Sequence, residues 1–427
     1  MKVLTVAFIY FTVISAAIAF DVQKIEAIEG DVNSILFDSH SNAFILAYDN
    51  ENFNLQRLYK LDSEKNVVFT INITDAVINI FISDKDDFYI TTWSSDLTSI
   101  YIIRNLSSEM EIIVTINGLI EAYMDNHGNL IYYTIFEPGV YFLKHGTSEP
   151  VMVKNLENFT RSENDQIITD IDGNTYLGGY VRDGNNIDVN RFMVITGEST
   201  ENIPEAQVIE EILDNPRGDY IEQLEVTLNN ELLISIASTD ASTVGYLKKL
   251  WNHSNYGITT ILSNEFYETY FTKSGVTTTI IISSDYDNLE SRFSYLTLDG
   301  DIVHLTNLRH VPGLTYYFGV EVDEEDNAFL SGIVVLDQST VEFFNRTEIR
   351  TTGVDFGSIE YVYDAKLDGN GNLWVVTYFE MYFIEKGTLK PEKILDTDDA
   401  IVLYVNNGEK SSEAYYSDGK GLFIVTN

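Results

Sequence analysis

Asp368-Gly-Asn-Gly-Asn372-Leu-Trp-Val375 joins a polar turn to the start of an apolar strand. Glycine and asparagine tolerate the left-handed backbone of a tight turn, while leucine, tryptophan and valine suit a buried, pleated strand. The stretch therefore predicts a β-hairpin turn that leads into a strand. Variants of the same phrase occur at five other places: Asp38–Asn42, Ser83–Asp87, Asp125–Asn129, Asp170–Asn174 and Asp323–Asn327.

These copies are evenly spaced. Counted at the last residue of each turn, Asn42 and Asp87 are 45 residues apart, and Asp87 and Asn129 are 42 apart. The interval between Asn174 and Asn327 is 153 residues, which leaves room for two further copies. Such a period indicates a repeat architecture in which every unit contributes similar strands.

Two weaker copies fill the long interval, at Leu228-Asn-Asn-Glu and Ser274-Gly-Val-Thr. Each copy is followed by further short strands, and four strands per unit is typical of a propeller blade. We therefore predict an all-β fold, a single β-propeller domain over residues 20–427 with about eight four-stranded blades, seven to nine being allowed. A solenoid is the alternative, and it is less favoured because no helical half-repeat recurs.

Both ends of this region have strand patterns outside the complete repeats. A partial ninth copy at Asp418-Gly-Lys-Gly-Leu-Phe-Ile-Val ends the chain, and Val22–Ile28 forms a strand pattern ahead of the first turn. We expect the two ends to pair and close the ring, because closure leaves no long free strand edge.

One segment departs from the repeat. Pro204 is followed by Val208, Ile209, Ile212 and Leu213, apolar residues at helical spacing. Proline at a first helical position and this periodicity predict a short surface helix inserted in one blade.

The N-terminal residues predict export. Residues 1–19 combine Lys2, an apolar run over Val3–Ile14 and an Ala17-Ile18-Ala19 cleavage pattern, which is typical of a signal peptide. No second long apolar run follows, so we expect a secreted, extracellular protein with no membrane span. Five Asn-x-Ser/Thr sequons are candidate glycosylation sites: Asn72, Asn105, Asn158, Asn252 and Asn345.

Composition narrows the possible functions. The 427 residues include 66 Asp and Glu against 26 Lys and Arg, a formal charge of −40, which disfavours a nucleic-acid partner. The absence of cysteine excludes disulfides and thiolate chemistry. A hydrophobic content of 44% is enough for a large folded core.

No linear motif identifies an enzyme. The six histidines lack metal-ligand spacing, and no nucleophile elbow, P-loop or dinucleotide fingerprint occurs. Asp170-Ile-Asp172-Gly-Asn174 resembles the first half of a calcium loop, but no bidentate glutamate follows, so a hairpin turn is favoured. We predict no cofactor and no metal, and the sequence assigns no catalytic or cofactor-binding residue.

An Arg217-Gly218-Asp219 tripeptide follows the predicted insertion. Held at an exposed loop tip, these residues would support cell adhesion or a host interaction through an integrin-type receptor. The alternative is that Arg217 only offsets the surrounding acidic residues.

The Asp-x-x-Gly-Asn phrases at Asp368–Asn372 and Asp170–Asn174 resemble those of NHL and gluconolactonase-type propellers. In two repeats a second phrase follows, Val140-Tyr-Phe-Leu-Lys-His-Gly146 and Met381-Tyr-Phe-Ile-Glu-Lys-Gly387, and this pairing is similar to insect ommochrome-binding proteins. The resemblance implies an extracellular propeller that binds small aromatic pigments without transforming them. Membership of the Yellow and royal-jelly family is disfavoured by the absence of cysteine.

The sequence thus predicts a secreted, non-enzymatic binding protein whose ligand is a small aromatic or cationic molecule in the central channel. An adhesion protein using the Arg-Gly-Asp loop and a metal-dependent hydrolase of the gluconolactonase type are the alternatives. We expect the partner to be a small molecule or an extracellular protein, and the chain to be a monomer.

Overall fold

The computed structural model is built from antiparallel β-strands. It describes residues 20–28, 30–49, 55–83, 85–95, 97–104, 107–117, 120–125, 128–134, 139–156, 159–160, 167–182, 188–196, 204–209, 212–227, 229–238, 246–250, 258–263, 268–276, 278–285, 290–297, 301–305, 315–334, 338–347, 350–356, 362–377, 379–397, 402–406, 412–417 and 421–426. The predicted signal peptide lies outside these ranges.

The strands form nine sheets, and within each sheet strands that are consecutive in the chain are neighbours, apart from a branch in sheet 4 and the N-terminal strand, which joins sheet 9. After β1 (Asp21–Lys24), sheet 1 comprises β2 (Asp31–Phe37), β3 (Ala43–Tyr48), β4 (Gln56–Leu61) and β5 (Val67–Ile73). Sheet 2 comprises β6 (Ala76–Ile82), β7 (Phe88–Ser94), β8 (Leu97–Ile103) and β9 (Glu111–Asn117). Sheet 3 comprises β10 (Ile120–Met124), β11 (Leu130–Thr134), β12 (Val140–Leu143) and β13 (Val151–Met152).

Sheet 4 contains β14 (Phe159–Thr160) and β15 (Ile167–Thr169), which both pair with β16 (Thr175–Arg182), then β17 (Asp188–Ile195) and β18 (Ala206–Val208). Sheet 5 comprises β19 (Asp219–Val226), β20 (Leu232–Ser238), β21 (Tyr246–Leu250) and β22 (Ile258–Ser263). Sheet 6 comprises β23 (Glu268–Ser274), β24 (Thr278–Asp285), β25 (Glu290–Thr297) and β26 (Ile302–Leu305).

Sheet 7 comprises β27 (Thr315–Val322), β28 (Ala328–Val334), β29 (Gln338–Asn345) and β30 (Arg350–Gly353). Sheet 8 comprises β31 (Val362–Leu367), β32 (Leu373–Thr377), β33 (Glu380–Ile384) and β34 (Glu392–Asp396). Sheet 9 comprises β35 (Val402–Val405), β36 (Glu413–Ser417) and β37 (Leu422–Thr426), with β1 as its outer strand.

This arrangement is a β-propeller, as the repeat predicts, and its described residues form nine blades. Eight was the expected number and nine the upper bound. The difference comes from the partial C-terminal copy, which supplies three strands and is completed by β1 paired with β37 in the register Val22↔Val425 and Gln23↔Ile424. The predicted meeting of the two ends is therefore confirmed, and it adds a blade.

The core lies between neighbouring blades. Sheets 9 and 1 share one apolar cluster, in which Tyr415 and Ile424 pack with Ile45 and Tyr59. The first strands of consecutive sheets contact one another, for example β19 with β23 and β27 with β31. These strands therefore form the inner wall of the ring and enclose its central channel.

The predicted helix over Pro204–Leu213 is wrong. Ala206–Val208 instead form β18, which pairs antiparallel with β17. Ile209, Ile212 and Leu213 then turn into the apolar cluster between sheets 4 and 5, where each is at least 94% buried. Burial in that cluster and pairing to an open strand edge outweigh the helical spacing.

No helix among the described residues is long and apolar enough to cross a membrane.

Candidate functional site

The turn between the first two strands of a blade is held by its aspartate. In the last such turn Asp368 Oδ1 accepts the backbone N–H of Asn370 and of Asn372, both at 2.9 Å, and Oδ2 accepts the Asn372 side-chain N–H at 3.0 Å. The residue before the asparagine has positive φ, +79° at Gly371, which explains the glycine. The same bonds fix Asp38, Asp125, Asp170 and Asp323 to their asparagines.

The asparagine of this turn also anchors the third strand of its blade. Asn372 Oδ1 accepts the backbone N–H of Lys386 at 3.0 Å, and Asn129 Oδ1 accepts that of His145 at 2.9 Å. In two blades the aromatic residue of the phrase donates to the aspartate, from Trp374 Nε1 at 3.0 Å and from the Tyr176 hydroxyl at 2.8 Å. The repeated phrase is therefore a structural clamp on three strands.

Turns of neighbouring blades are bonded to each other. Ser39 donates its backbone N–H and its hydroxyl to Asp86 at 2.8 and 2.7 Å, and Asn230 donates to Asp172 at 2.6 Å. Burial alone raises the pKa of Asp86, but the bonds from Ser39 and the neighbouring His40 outweigh it and hold the pKa below its usual value. These contacts fix the spacing of the blades on this side of the ring.

One position on the inner wall separates the blades into two groups. The penultimate residue of each first strand pairs with the second residue of the strand after the turn, except in sheets 6 and 9, where it pairs with the third. It is apolar or aromatic in five blades and charged, with alternating sign, in four consecutive ones. In blade order the residues are Leu36, Phe81, Tyr123, Ile168, Glu225, Lys273, Glu321, Lys366 and Tyr404.

The charged residues make contacts between neighbouring first strands. Glu225 Oε1 accepts the backbone N–H of Ser274 in the next sheet at 3.2 Å. Lys366 Nζ lies 4.0 Å from Glu321 Oε1 and 3.4 Å from Asp364 Oδ1, which belongs to the same first strand as Lys366. We call Glu225, Lys273, Glu321, Asp364 and Lys366 the channel charge cluster.

Burial dominates the ionisation of these carboxylates. It raises the pKa of Glu225, Glu321 and Asp364 above their usual values, although the nearby ammonium groups act in the opposite direction. Lys273 lies on β23, between the first strands that carry Glu225 and Glu321, and its ammonium acts to lower the pKa of both. Three carboxylates against two lysines leave an excess negative charge that is incompletely solvated.

An aromatic group lies beside this cluster. Tyr404, in the corresponding position of sheet 9, donates its hydroxyl to the backbone oxygen of Asn33 at 2.8 Å. Burial raises the pKa of Tyr404, and the Asp364 carboxylate adds to the shift. The wall therefore combines carboxylates, two amines and a phenol. No linear motif marks this wall, because its residues are spread over 180 positions, from Glu225 to Tyr404.

The Arg-Gly-Asp tripeptide does not have the geometry that the adhesion hypothesis requires. Arg217 is exposed, but Gly218 is buried and Asp219 is only 2% exposed. Asp219 Oδ2 accepts the backbone N–H of Asn215 at 2.8 Å, and the same residue begins β19. Because its carboxylate is engaged inside the blade, Asp219 does not face a receptor.

The other candidate residues have ordinary surroundings or lie elsewhere. Asn72 is exposed on β5 and Asn345 is half-buried at the end of β29, whereas Asn105, Asn158 and Asn252 fall outside the described residues. The calcium-like turn is the hairpin clamp described above. Within the described ranges, no group of three His, Asp or Glu side chains is placed to hold a metal ion, which a gluconolactonase-type hydrolase would require.

Comparison with known proteins supports the fold. No family model and no curated protein matches this sequence. The solved structure of a eukaryotic initiation factor is similar with a TM-score of 0.60 at 9% identity, covering 94% of this chain and 92% of that one. Dipeptidyl peptidase 4 of Porphyromonas gingivalis is similar with a TM-score of 0.59 at 10% identity, covering 88% of this chain. This chain spans 60% of the peptidase's length, and at such identities the similarity concerns the propeller fold alone.

Proposed function

We propose that the protein is an exported binding protein that takes a small organic cation with a flat ring at the channel charge cluster, without transforming it. The observation that carries this proposal is the charged row on four consecutive first strands, where the other blades have apolar or aromatic residues. Glu225, Glu321 and Asp364 would bind the cationic group, and Tyr404 would pack against the ring.

Charge and chemistry both favour this class of ligand. The half-buried carboxylates gain more from a bound cation than fully exposed ones would, because water solvates them incompletely. The chain's charge of −40 adds a long-range attraction for cations. A tyrosine ring face attracts a nearby cation by roughly 0.5–2 kcal/mol. The resemblance to ommochrome-binding proteins makes a flat aromatic amine the first ligand to test.

Tryptamine is a suitable probe because it joins a flat ring to an ammonium group, and indole-3-propionate carries the same ring with the opposite charge. Titration calorimetry of the full chain should show binding of tryptamine and none of indole-3-propionate. Glu321→Gln and Glu225→Gln should each weaken tryptamine binding by roughly tenfold. Affinity should rise with pH through the raised pKa of the carboxyls, because only the ionised form binds the cation.

Glu380→Gln is the matched control, since Glu380 is a hydrogen-bonded carboxylate on the third strand of sheet 8, away from the first strands. Equal weakening by the control variant would mean a general charge effect and would refute the site. Conversion of the probe, or of a lactone offered to the protein, would refute binding without chemistry.

A further inference from the structure

A separate pocket of about 200 Å³ lies between sheets 2 and 3, away from the first strands. Its floor is made by Tyr89, Leu130 and Leu143, which are at least 98% buried. Cavities of about 150 Å³ hold a benzene ring, so this volume accommodates a ring with one small substituent.

Three basic side chains line this pocket. Arg104 follows the third strand of sheet 2, and Lys144 and His145 follow the third strand of sheet 3. Glu111 on the rim offsets part of the charge, with its Oε2 3.7 Å from Arg104 Nε. Both of these side chains are about half exposed, so their ion pair is weak, and most of the guanidinium donors are not used by it. The chain as a whole has 26 basic and 66 acidic residues, so the excess of basic over acidic side chains in this pocket is opposite to that of the chain.

The histidine is held in place by both sheets. Its backbone N–H donates to Asn129, and its Nδ1 lies 3.2 Å from the hydroxyl of Tyr89. Its Nε2 lies 3.8 Å from Asp87 Oδ2, and the side chain is 20% exposed. The imidazole therefore forms part of a fixed wall.

Corresponding residues in two other blades also face a ring or carboxylates of the preceding blade. Arg346 and Lys386, like His145, donate their backbone N–H to the turn asparagine. Arg346 lies over the ring of Tyr295 in the preceding blade, 5.1 Å from its centroid, and Lys386 lies within 4 Å of Glu324 and Glu325. In all three blades the preceding sheet thus presents a ring or carboxylates to the basic side chain, but a described pocket lies beside it between sheets 2 and 3. Between sheets 2 and 3 the same side of the blade has a pocket with an apolar floor.

We propose that this pocket binds a small amphipathic anion, a carboxylate attached to a flat ring. The ring packs on Tyr89, Leu130 and Leu143, and the carboxylate is bound by Arg104 and Lys144, with His145 beside it. Charge-assisted bonds from a guanidinium and an ammonium favour a carboxylate over a neutral or cationic group on the same ring. This site is independent of the channel charge cluster.

The probe is 4-fluorobenzoate, observed by fluorine NMR with the full chain, and 4-fluorobenzylamine and 4-fluorobenzyl alcohol are the comparison ligands. We expect the benzoate alone to broaden in a saturable way. The double variant Arg104→Gln/Lys144→Gln should raise its dissociation constant at least about fivefold. Both side chains are substantially exposed, so the variant should fold.

Lys386→Gln is the matched control, because it removes one basic group from the corresponding position of another blade, and it should leave the dissociation constant unchanged. Glu321→Gln should also leave it unchanged, which separates this site from the channel. Equal binding of the alcohol, no binding of the benzoate at millimolar concentration, or an equal effect of Lys386→Gln would each overturn the proposal.

Discussion

A single aspartate in each clamp turn satisfies donors from several strands. Asp368 is 5% exposed, and its Oδ2 accepts bonds from Asn372, from Trp374 and from the Ser412 hydroxyl of the neighbouring sheet at 2.7 Å. Asp62 makes the same kind of turn between the outer strands of sheet 1 but is partly exposed to solvent. The two residues therefore separate the effect of burial from that of turn geometry.

Asp368→Ala should lower the free energy of unfolding by roughly 3–5 kcal/mol, because it leaves several buried donors without an acceptor. Asp62→Ala removes the corresponding turn bonds at a site where water can replace them. Its free energy of unfolding should therefore fall by much less. Urea unfolding followed by tryptophan fluorescence measures both. Comparable losses in the two variants would show that the turn geometry, rather than burial of the carboxylate, carries the stability.

The raised pKa of Glu321 predicts a pH dependence of opposite sign to that of Glu380. The folded state binds the Glu321 proton more tightly than the unfolded state, whose pKa is near 4.5, so the wild type loses stability as pH rises through the raised value. The stability of Glu321→Gln relative to the wild type should therefore increase with rising pH. Hydrogen bonds from Lys393 and Tyr382 lower the pKa of Glu380. The stability of Glu380→Gln relative to the wild type should therefore decrease as pH rises towards 4.5. Urea midpoints between pH 3 and pH 7 test both slopes, and slopes of the same sign would contradict the assignment.

The channel residues could have been found from the sequence only in part. Each charged member of the penultimate row lies two residues before the first residue of its turn, as Glu321 precedes Asp323 and Lys366 precedes Asp368. Aligning the turns therefore reveals the alternating charges. It does not reveal that burial outweighs the neighbouring lysines, because that balance depends on how closely first strands from different blades approach.

The segment after Pro204 shows why apolar periodicity alone does not distinguish a helix from a strand and loop. Strand β17 offers an open edge, and β18 takes it with Val208 opposite Met193. Ile209 then donates its backbone N–H to Phe192 at 2.9 Å, and Ile212 enters the space between sheets 4 and 5 with no exposed surface. An inward-folding loop and an amphipathic helix produce the same apolar spacing, so tertiary context decides.

Ile212→Ala should destabilise the protein by about 2–5 kcal/mol, because it leaves a cavity in a closed apolar cluster. Ile171→Ala, at a turn residue that is 69% exposed, should change stability by less than about 0.5 kcal/mol. Thermal unfolding of the two variants beside the wild type gives the comparison. A small effect at Ile212 would mean that the loop after β18 is not part of the core.

For the whole molecule, the repeat period predicted the architecture, while the number of blades depended on contacts between the two ends. No local pattern shows that Val22 lies opposite Val425, because the pairing joins residues about four hundred positions apart. Tyr404, bonded to Asn33, and the cluster shared by sheets 9 and 1 complete the same junction. The ring is therefore closed by the pairing of β1 with β37 and by the packing between sheets 9 and 1.

A disulfide across this junction should stabilise the protein more than one inside the neighbouring hairpin. Thr426 lies opposite Asp21 on one side and opposite Glu413 on the other, so Thr426→Cys can be combined with Asp21→Cys or with Glu413→Cys in a chain that has no other cysteine. On the chain-entropy account, the short loop contributes about 3 kcal/mol and the long one more than about 4.7 kcal/mol. Denaturation with and without reductant measures each contribution within one variant, so the effects of the substitutions themselves cancel. The disulfide across the junction could instead stabilise the protein no more than the disulfide within the hairpin. The unfolded chain would then already hold its ends together, or the ring would open elsewhere first. Either result would show that closure by β1 does not limit stability.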